Sequence, residues 1–108
     1  SEKTARSQML GGAVGGIGMA MTEETLLDHR YGRYINSNFV DYHVPVHADV
    51  PPMDIVFTNQ PDYIISPTGA KGIGEIALVG VAPAILNAVY NATGKRVRDL
   101  PVTPDKLI

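Results

Sequence analysis

Gly69-Ala70-Lys71-Gly72-Ile73-Gly74-Glu75 is the stretch on which the reading of this 108-residue chain turns. Glycine at 69, 72 and 74 leaves little side chain to fill space, so the backbone can take positive φ and lie directly against a bound molecule. The apolar run from Ile76 to Val89 reads as a buried helical segment, which puts Glu75 where a loop enters a helix. A carboxylate at that boundary has two uses. As a cap it accepts hydrogen bonds from free backbone N–H groups, typically ~0.3–1 kcal/mol with the helix dipole. As a general base it is held by rigid structure, among apolar neighbours that raise its pKa toward working pH. Residue type and spacing leave both open.

Composition narrows the partners. The chain is 44% hydrophobic and 19% charged, which fits one small globular domain, 1–108. So little charge on so short a chain suggests that part of its surface faces protein. A net charge of −2 with no basic block argues against nucleic acid and anionic membrane. The absence of cysteine excludes disulfides, thiolate zinc sites and iron–sulfur ligation on this chain. Ser1-Glu2-Lys3-Thr4 lacks a signal-type leader, and no charge-free apolar run reaches the ~18 residues of a membrane span.

Patterning predicts an α+β fold. From Thr4 to Met21, small and apolar residues include Gly11, Gly15 and Gly18 at three- and four-residue steps, a smooth stripe for close approach of another backbone. Each glycine costs a helix about 1 kcal/mol, yet the pattern predicts a glycine-rich buried helix ended by Thr22-Glu23-Glu24. Thr25–Leu27 and Arg33–Asn36 flank Asp28-His29-Arg30-Tyr31-Gly32 and predict a hairpin. Phe39–Val46 and Asp54–Thr58 alternate and predict short strands, with a turn at Asn59–Asp62 and a short extension at Tyr63-Ile64-Ile65. Pro83 predicts a break in the final apolar run, giving a C-terminal helix pair whose second member starts near Pro83 and ends at Gly94. Arg96–Asp105 reads as an extended tail.

Other constellations are weaker. Gly72-Ile73-Gly74-Glu75-Ile76-Ala77 fits G-x-G-x-x-A, but no second strand follows to carry the acid that a dinucleotide's ribose requires. His43 and His47 have helical metal-pair spacing, but Pro45 denies them a common helical face, and no metal ligand is assigned. Lys71 can neutralise a phosphate or simply be solvated. Gln8, beside the glycine stripe, is either an ordinary polar side chain or a partner for a cofactor's hydrogen-bonding edge.

Taken together, the spaced motifs resemble a known family. The loop from Gly69 to Glu75 is similar to the one carrying the active-site glutamate in the molybdenum-cofactor-binding large subunit of the xanthine dehydrogenase and aldehyde oxidoreductase family. Gln8-Met9-Leu10-Gly11-Gly12, running on to Gly16-Ile17-Gly18 and Thr22-Glu23-Glu24, resembles that family's glutamine and double-glycine helix. Asp41-Tyr42-His43-Val44-Pro45 with Asp49-Val50-Pro51, and Ala92-Thr93-Gly94-Lys95-Arg96 with Leu100-Pro101 to Leu107, resemble the intervening segment and the subunit's C-terminal end. The likeness covers essentially the whole chain and is strongest to the periplasmic, iron–sulfur-dependent aldehyde oxidoreductase branch.

The resemblance implies a molybdenum hydroxylase that oxidises aldehydes or hydroxylates N-heterocycles with water as oxygen source. Glu75 is implied as the general base that deprotonates the molybdenum-activated oxygen before it attacks an electron-poor carbon. Lys71, Gly72, Ile73 and Gly74 are implied as backbone contacts to a molybdenum–molybdopterin cytosine dinucleotide, and Gln8 as a hydrogen-bond partner of the pterin. Lys3 and Thr4 fall where the family's loop touches the cofactor, although Ser1 and Glu2 depart from its usual Asn-Pro and Gly15 replaces a frequent glutamine. Iron–sulfur clusters and FAD are implied on partner subunits. On this reading the chain is a C-terminal fragment inactive by itself, and its partners are the rest of the large subunit, the iron–sulfur and flavin subunits, and a small aldehyde or heterocycle. Composition leaves the compartment open, and the branch favours the periplasm over the cytoplasm. A noncatalytic interaction module, its glycines serving only close packing, is the alternative.

Overall fold

A computed structural model describes residues 1–108. Two helices make its frame: α1, Glu2–Met21, and α2, Leu78–Thr93. Between them lie a hairpin of β1, Leu27–Asp28, and β2, Arg33–Tyr34, a 3-10 turn at His47–Asp49 and long irregular stretches. The architecture is the α+β type that the pattern predicts.

Glycine decides how the helices meet. A Cβ on Gly12 would lie 2.9 Å from that of Ala77, one on Gly15 3.1 Å from Leu78 Cδ1, and one on Gly16 inside Val81. Positions on α1 and α2 thus advance together, so the helices run in the same direction, joined by the long connection that parallel neighbours need. The packing row differs from the one expected. Gly11 faces open space and Gly18 abuts Pro45 and Glu23, so the row against α2 is Gly12 and Gly16. Steps of four residues form the ridges that fit a neighbouring helix's grooves.

Three other expectations are corrected. Ile76–Val89 is not split at Pro83: α2 runs through it as one helix, and turns at 74–77 lead in. Proline that far inside removes the bond to the Val79 carbonyl without ending the helix. Nor is that run buried here, since Ile76 is 61% and Val79 73% exposed. The third correction concerns the strands. Phe39–Val46 bends, because Asn38 Oδ1 accepts the N–H groups of Val40 (2.9 Å) and Asp41 (3.2 Å) and its carbonyl accepts that of Tyr42 (2.9 Å). Asp54–Thr58 keeps its alternation, with Ile55 and Phe57 half-buried and Asp54, Val56 and Thr58 exposed, but residues 51–61 make no backbone hydrogen bond within the chain. Tyr63-Ile64-Ile65 is likewise a turn, and the tail closes in a 3-10 turn at Pro104–Leu107.

The hairpin and the helix ends follow the sequence. Leu27 pairs with Tyr34 and Asp28 with Arg33, and Gly32 turns the chain at φ 63°. Buried Asn36 ties the hairpin back, accepting from Leu26 N–H at 3.0 Å and donating to the Glu24 carbonyl. Gly94 ends α2 at φ 72°, its N–H on the Tyr90 carbonyl at 2.8 Å. The tail returns to α1 through Val102 N–H on the Ala20 carbonyl at 2.7 Å, and Ala20, Val97 and Val102 are buried.

That core is small for the chain. The accessible surface is 8349 Å² at 11.6 kDa, whereas a self-contained protein of this mass exposes about 5,800 Å². The radius of gyration is 17.3 Å, against about 13 Å for a compact domain of this length. No large side chain is fully buried, and no helix is long and apolar enough to cross a membrane.

Candidate functional site

The glycine stretch is a ribbon strung between two fixed points. Downstream, Ala77 sits against Gly12 of α1, and stepwise turns (Ile76 N–H to Ile73 O, 3.1 Å; Leu78 N–H to Glu75 O, 3.0 Å) feed the chain into α2. Upstream, Asp62 N–H donates to the Gly69 carbonyl at 3.2 Å, closing a loop at its neck. Gly69 needs its left-handed φ of 70° there, and a Cβ would lie 2.7 Å from that of Pro61. Between the two points, no N–H from Ala70 to Glu75 has an acceptor within the chain. Buried backbone donors are almost always paired, so a run of free ones is a surface built either for water or for an acceptor-rich ligand.

Glu75 stands at the end of this ribbon. It is exposed, and its carboxylate takes part in none of the chain's ion pairs. Neither does it cap α2, whose first residues receive no side-chain hydrogen bond. The capping use is therefore set aside, and the carboxylate is left free. The apolar enclosure expected around it is not supplied by these residues. Lys71, also exposed, has its Nζ 3.7 Å from Asp62 Oδ2, a solvent-screened pair that leaves most of its charge available.

The other predicted residues lie on α1, whose Gly12 packs against Ala77. Thr4, Gln8, Gly12, Gly16 and Ala20 step along one four-residue row of α1, and where Gly12 meets Ala77 the row passes the end of the ribbon. One turn back from Gly12, on the same row, Gln8 is exposed. Thr4 lies a further turn away, its Oγ1 donating to the Ser1 carbonyl at 2.9 Å, with exposed Lys3 beside it. Gly72, Ile73 and Gly74 make up the middle of the ribbon. Asp62 ends the turn read at Asn59–Asp62, and its place just upstream of the glycines is the signal that marks it.

The ribbon thus carries free N–H donors, one cation and an unpaired carboxylate, a set suited to an anionic, hydrogen-bonding cofactor. Known proteins resemble the chain over nearly its whole length. Residues 1–51 match a family described as the molybdopterin cofactor-binding domain. The chain is 53% identical over 106 residues to the aldehyde oxidoreductase molybdenum-binding subunit PaoC of Escherichia coli K12, covering 98% of this chain and 14% of that subunit. The chain belongs to the molybdopterin-binding family of oxidoreductase subunits.

Other members of the family give the same picture. A putative xanthine dehydrogenase molybdenum-binding subunit, XdhA, from the same organism is 40% identical over 105 residues, covering 95% of this chain and 14% of that subunit. The crystal structure of quinoline 2-oxidoreductase from Pseudomonas putida 86 superposes with a TM-score of 0.80 at 29% identity, over 94% of this chain and 13% of that one. The 108 residues thus span 14% of the length of the curated relatives they match. With oxidoreductase subunits as the relatives, the noncatalytic module is not favoured.

Proposed function

We propose that these residues form the C-terminal part of the large subunit of a molybdenum hydroxylase and build one wall of its active site. The observation that carries the reading is Glu75: a free carboxylate at the end of a ribbon whose N–H groups, from Ala70 on, have no acceptor of their own. The ribbon's donors at Lys71, Gly72, Ile73 and Gly74, with the Lys71 ammonium, would hold a molybdopterin cytosine dinucleotide. Gln8 would hydrogen-bond the pterin, and Lys3 and Thr4 would add contacts from the start of α1. When bound, the cofactor supplies a metal that activates a water-derived oxygen and accepts the electron pair of the substrate's C–H bond.

The chain's own part is proton transfer. Glu75 would take the proton released as a water-derived oxygen is activated, and the turns that lead into α2 fix the downstream end of the segment that carries its carboxylate. The substrate is a small aldehyde or an N-heterocycle, both of which offer an electron-poor carbon. Enclosure of Glu75, which these residues lack, comes from the rest of the large subunit. About 2,500 Å² of surface beyond that of a self-contained protein of this size matches an obligate interface. The unpaired backbone of residues 51–61 is the edge on which that polypeptide lays a strand. Iron–sulfur and flavin subunits complete the complex and carry electrons away, and the periplasm is its compartment.

The test uses the assembled enzyme. Glu75→Gln should lower turnover of aromatic and aliphatic aldehydes by roughly 10²–10⁴-fold, the usual worth of a positioned base, while molybdenum content stays at the wild-type level. Turnover within a few-fold of wild type at full metal loading would show that the base lies elsewhere.

A further inference from the structure

Asp62 makes more connections than any other residue of the loop that precedes the ribbon. Its Oδ1 accepts the N–H groups of Ile64 (3.1 Å) and Ile65 (3.2 Å). Its carbonyl accepts Ser66 N–H and its own N–H donates to the Gly69 carbonyl, both at 3.2 Å, and its Oδ2 lies 3.7 Å from Lys71 Nζ. Gly69 N–H completes the closure on the Ser66 carbonyl at 2.8 Å. The Asp62 side chain is 29% exposed, more sheltered than that of Lys71 at 56%. Everything upstream of it, back to residue 51, has no backbone hydrogen bond in the chain, so this clasp is the first fixed point before the ribbon.

We infer that Asp62 is a positioning residue: it pins the upstream end of the glycine ribbon and thereby sets where the Glu75 carboxylate sits. The ribbon has no internal hydrogen bond from its own N–H groups between the clasp and the turns that enter α2, and its glycines resist bending very little. The turns tie the Ile73 and Glu75 carbonyls at the downstream end, so what the other end sets is the direction from which the ribbon reaches Glu75 and turns its side chain. Two interactions could do the pinning. The side-chain turn formed by Oδ1 is local and geometrically exact in what it demands, whereas the pair with Lys71 is long, half-exposed and screened. The turn is therefore the part that matters.

This inference rests on the reading of Glu75 as the base, and two conservative variants in the assembled enzyme separate the possibilities. Asp62→Asn keeps a side-chain oxygen for Ile64 and Ile65 and loses the charge; Asp62→Glu keeps the charge and, one methylene longer, loses the turn. The expected result is kcat within about twofold of wild type for Asp62→Asn and a fall of roughly 10–100-fold for Asp62→Glu, the scale of a small misplacement of a catalytic group. KM should stay within about twofold in both, set against the tenfold steps that matter in affinity, and kcat is read per bound molybdenum so that loss of cofactor is counted separately. Amide hydrogen exchange gives an independent readout: Ser66 and Gly69 should exchange about tenfold faster in Asp62→Glu and at the wild-type rate in Asp62→Asn. The inference is overturned by the reverse order, by equal loss in both variants, by no loss in either, or by exchange that does not follow the turn. Retained activity in Glu75→Gln would instead remove the reading of the base, while the exchange result would still decide whether Asp62 holds the ribbon.

Discussion

Short polar side chains settle most of the local geometry. Asp28, Asn38 and Asp62 each accept two backbone N–H groups from residues two and three further on, and each turns the chain where it does so. At Asp28 the turn falls between two strand-like runs and was legible as a hairpin. At Asn38 and Asp62 it falls at the head of apolar runs, and alternation alone read those as extended. The local bond wins because it closes with little entropy cost, whereas a strand needs a distant partner. Tyr42, which the Asn38 turn redirects, donates to Glu23 Oε2 at 2.7 Å, and that hydrogen bond, with partial burial and the nearby negative charge, holds the phenol above its ordinary 10.0. Because the folded state favours the neutral phenol, this contribution is complete below pH ~10 and is lost as pH rises through the raised value. Phenolate titration of the full-length subunit should show one late-ionising tyrosine that Glu23→Gln returns to the ordinary range and Tyr42→Phe removes. An unchanged titration in that variant would mean the bond does not form in solution.

Helix contacts obey a different rule. The glycines of α1 were legible as a device for close approach, but periodicity could not say which of them meet the partner, since glycines at 11, 12, 15, 16 and 18 fill nearly every side. The facing row depends on where Ala77 and Val81 sit, far along the chain. Gly16→Val should lower the thermal midpoint and soluble yield of the full-length subunit, overpacking of this kind costing about 1–3 kcal/mol. Gly11→Ala, with nothing within 4 Å, should be neutral or gain up to about 1 kcal/mol of helix propensity. Equal damage from the two would move the contact to another face. Pro83 teaches the same lesson from the other side: a helix tied to a neighbour through Ala77, Leu78 and Val81 continues through a proline that would end it alone.

The chain as a unit is too open to stand by itself. Only small or medium apolar residues reach the interior, while Phe39 at 88%, Val56 at 84% and Ile64 at 97% face outward. An apolar groove of about 890 Å³, lined by Ile17, Met21, Val50, Val81 and Ile85 among others, lies open beside the helices. Expressed alone, these 108 residues should melt broadly, bind hydrophobic dye and show none of the ~60–80 kcal/mol unfolding enthalpy of a cooperative domain of this size. A sharp, reversible calorimetric transition of that enthalpy would refute the need for outside cover. Low charge in the sequence pointed toward such cover, and the surface excess supplies its size.

Sequence alone determined what depends on near neighbours: the glycine ribbon, the acidic residue at its end, the first helix, the hairpin and the Gly94 stop, all matters of local φ and short spacing. Tertiary structure decided the rest. It chose Gly12 and Gly16 as the packing row, carried α2 through Pro83, ran the two helices in parallel, and left Glu75 without a capping role. Each of those outcomes depends on atoms brought together from opposite ends of the chain, and no local pattern encodes which distant surface a residue will meet.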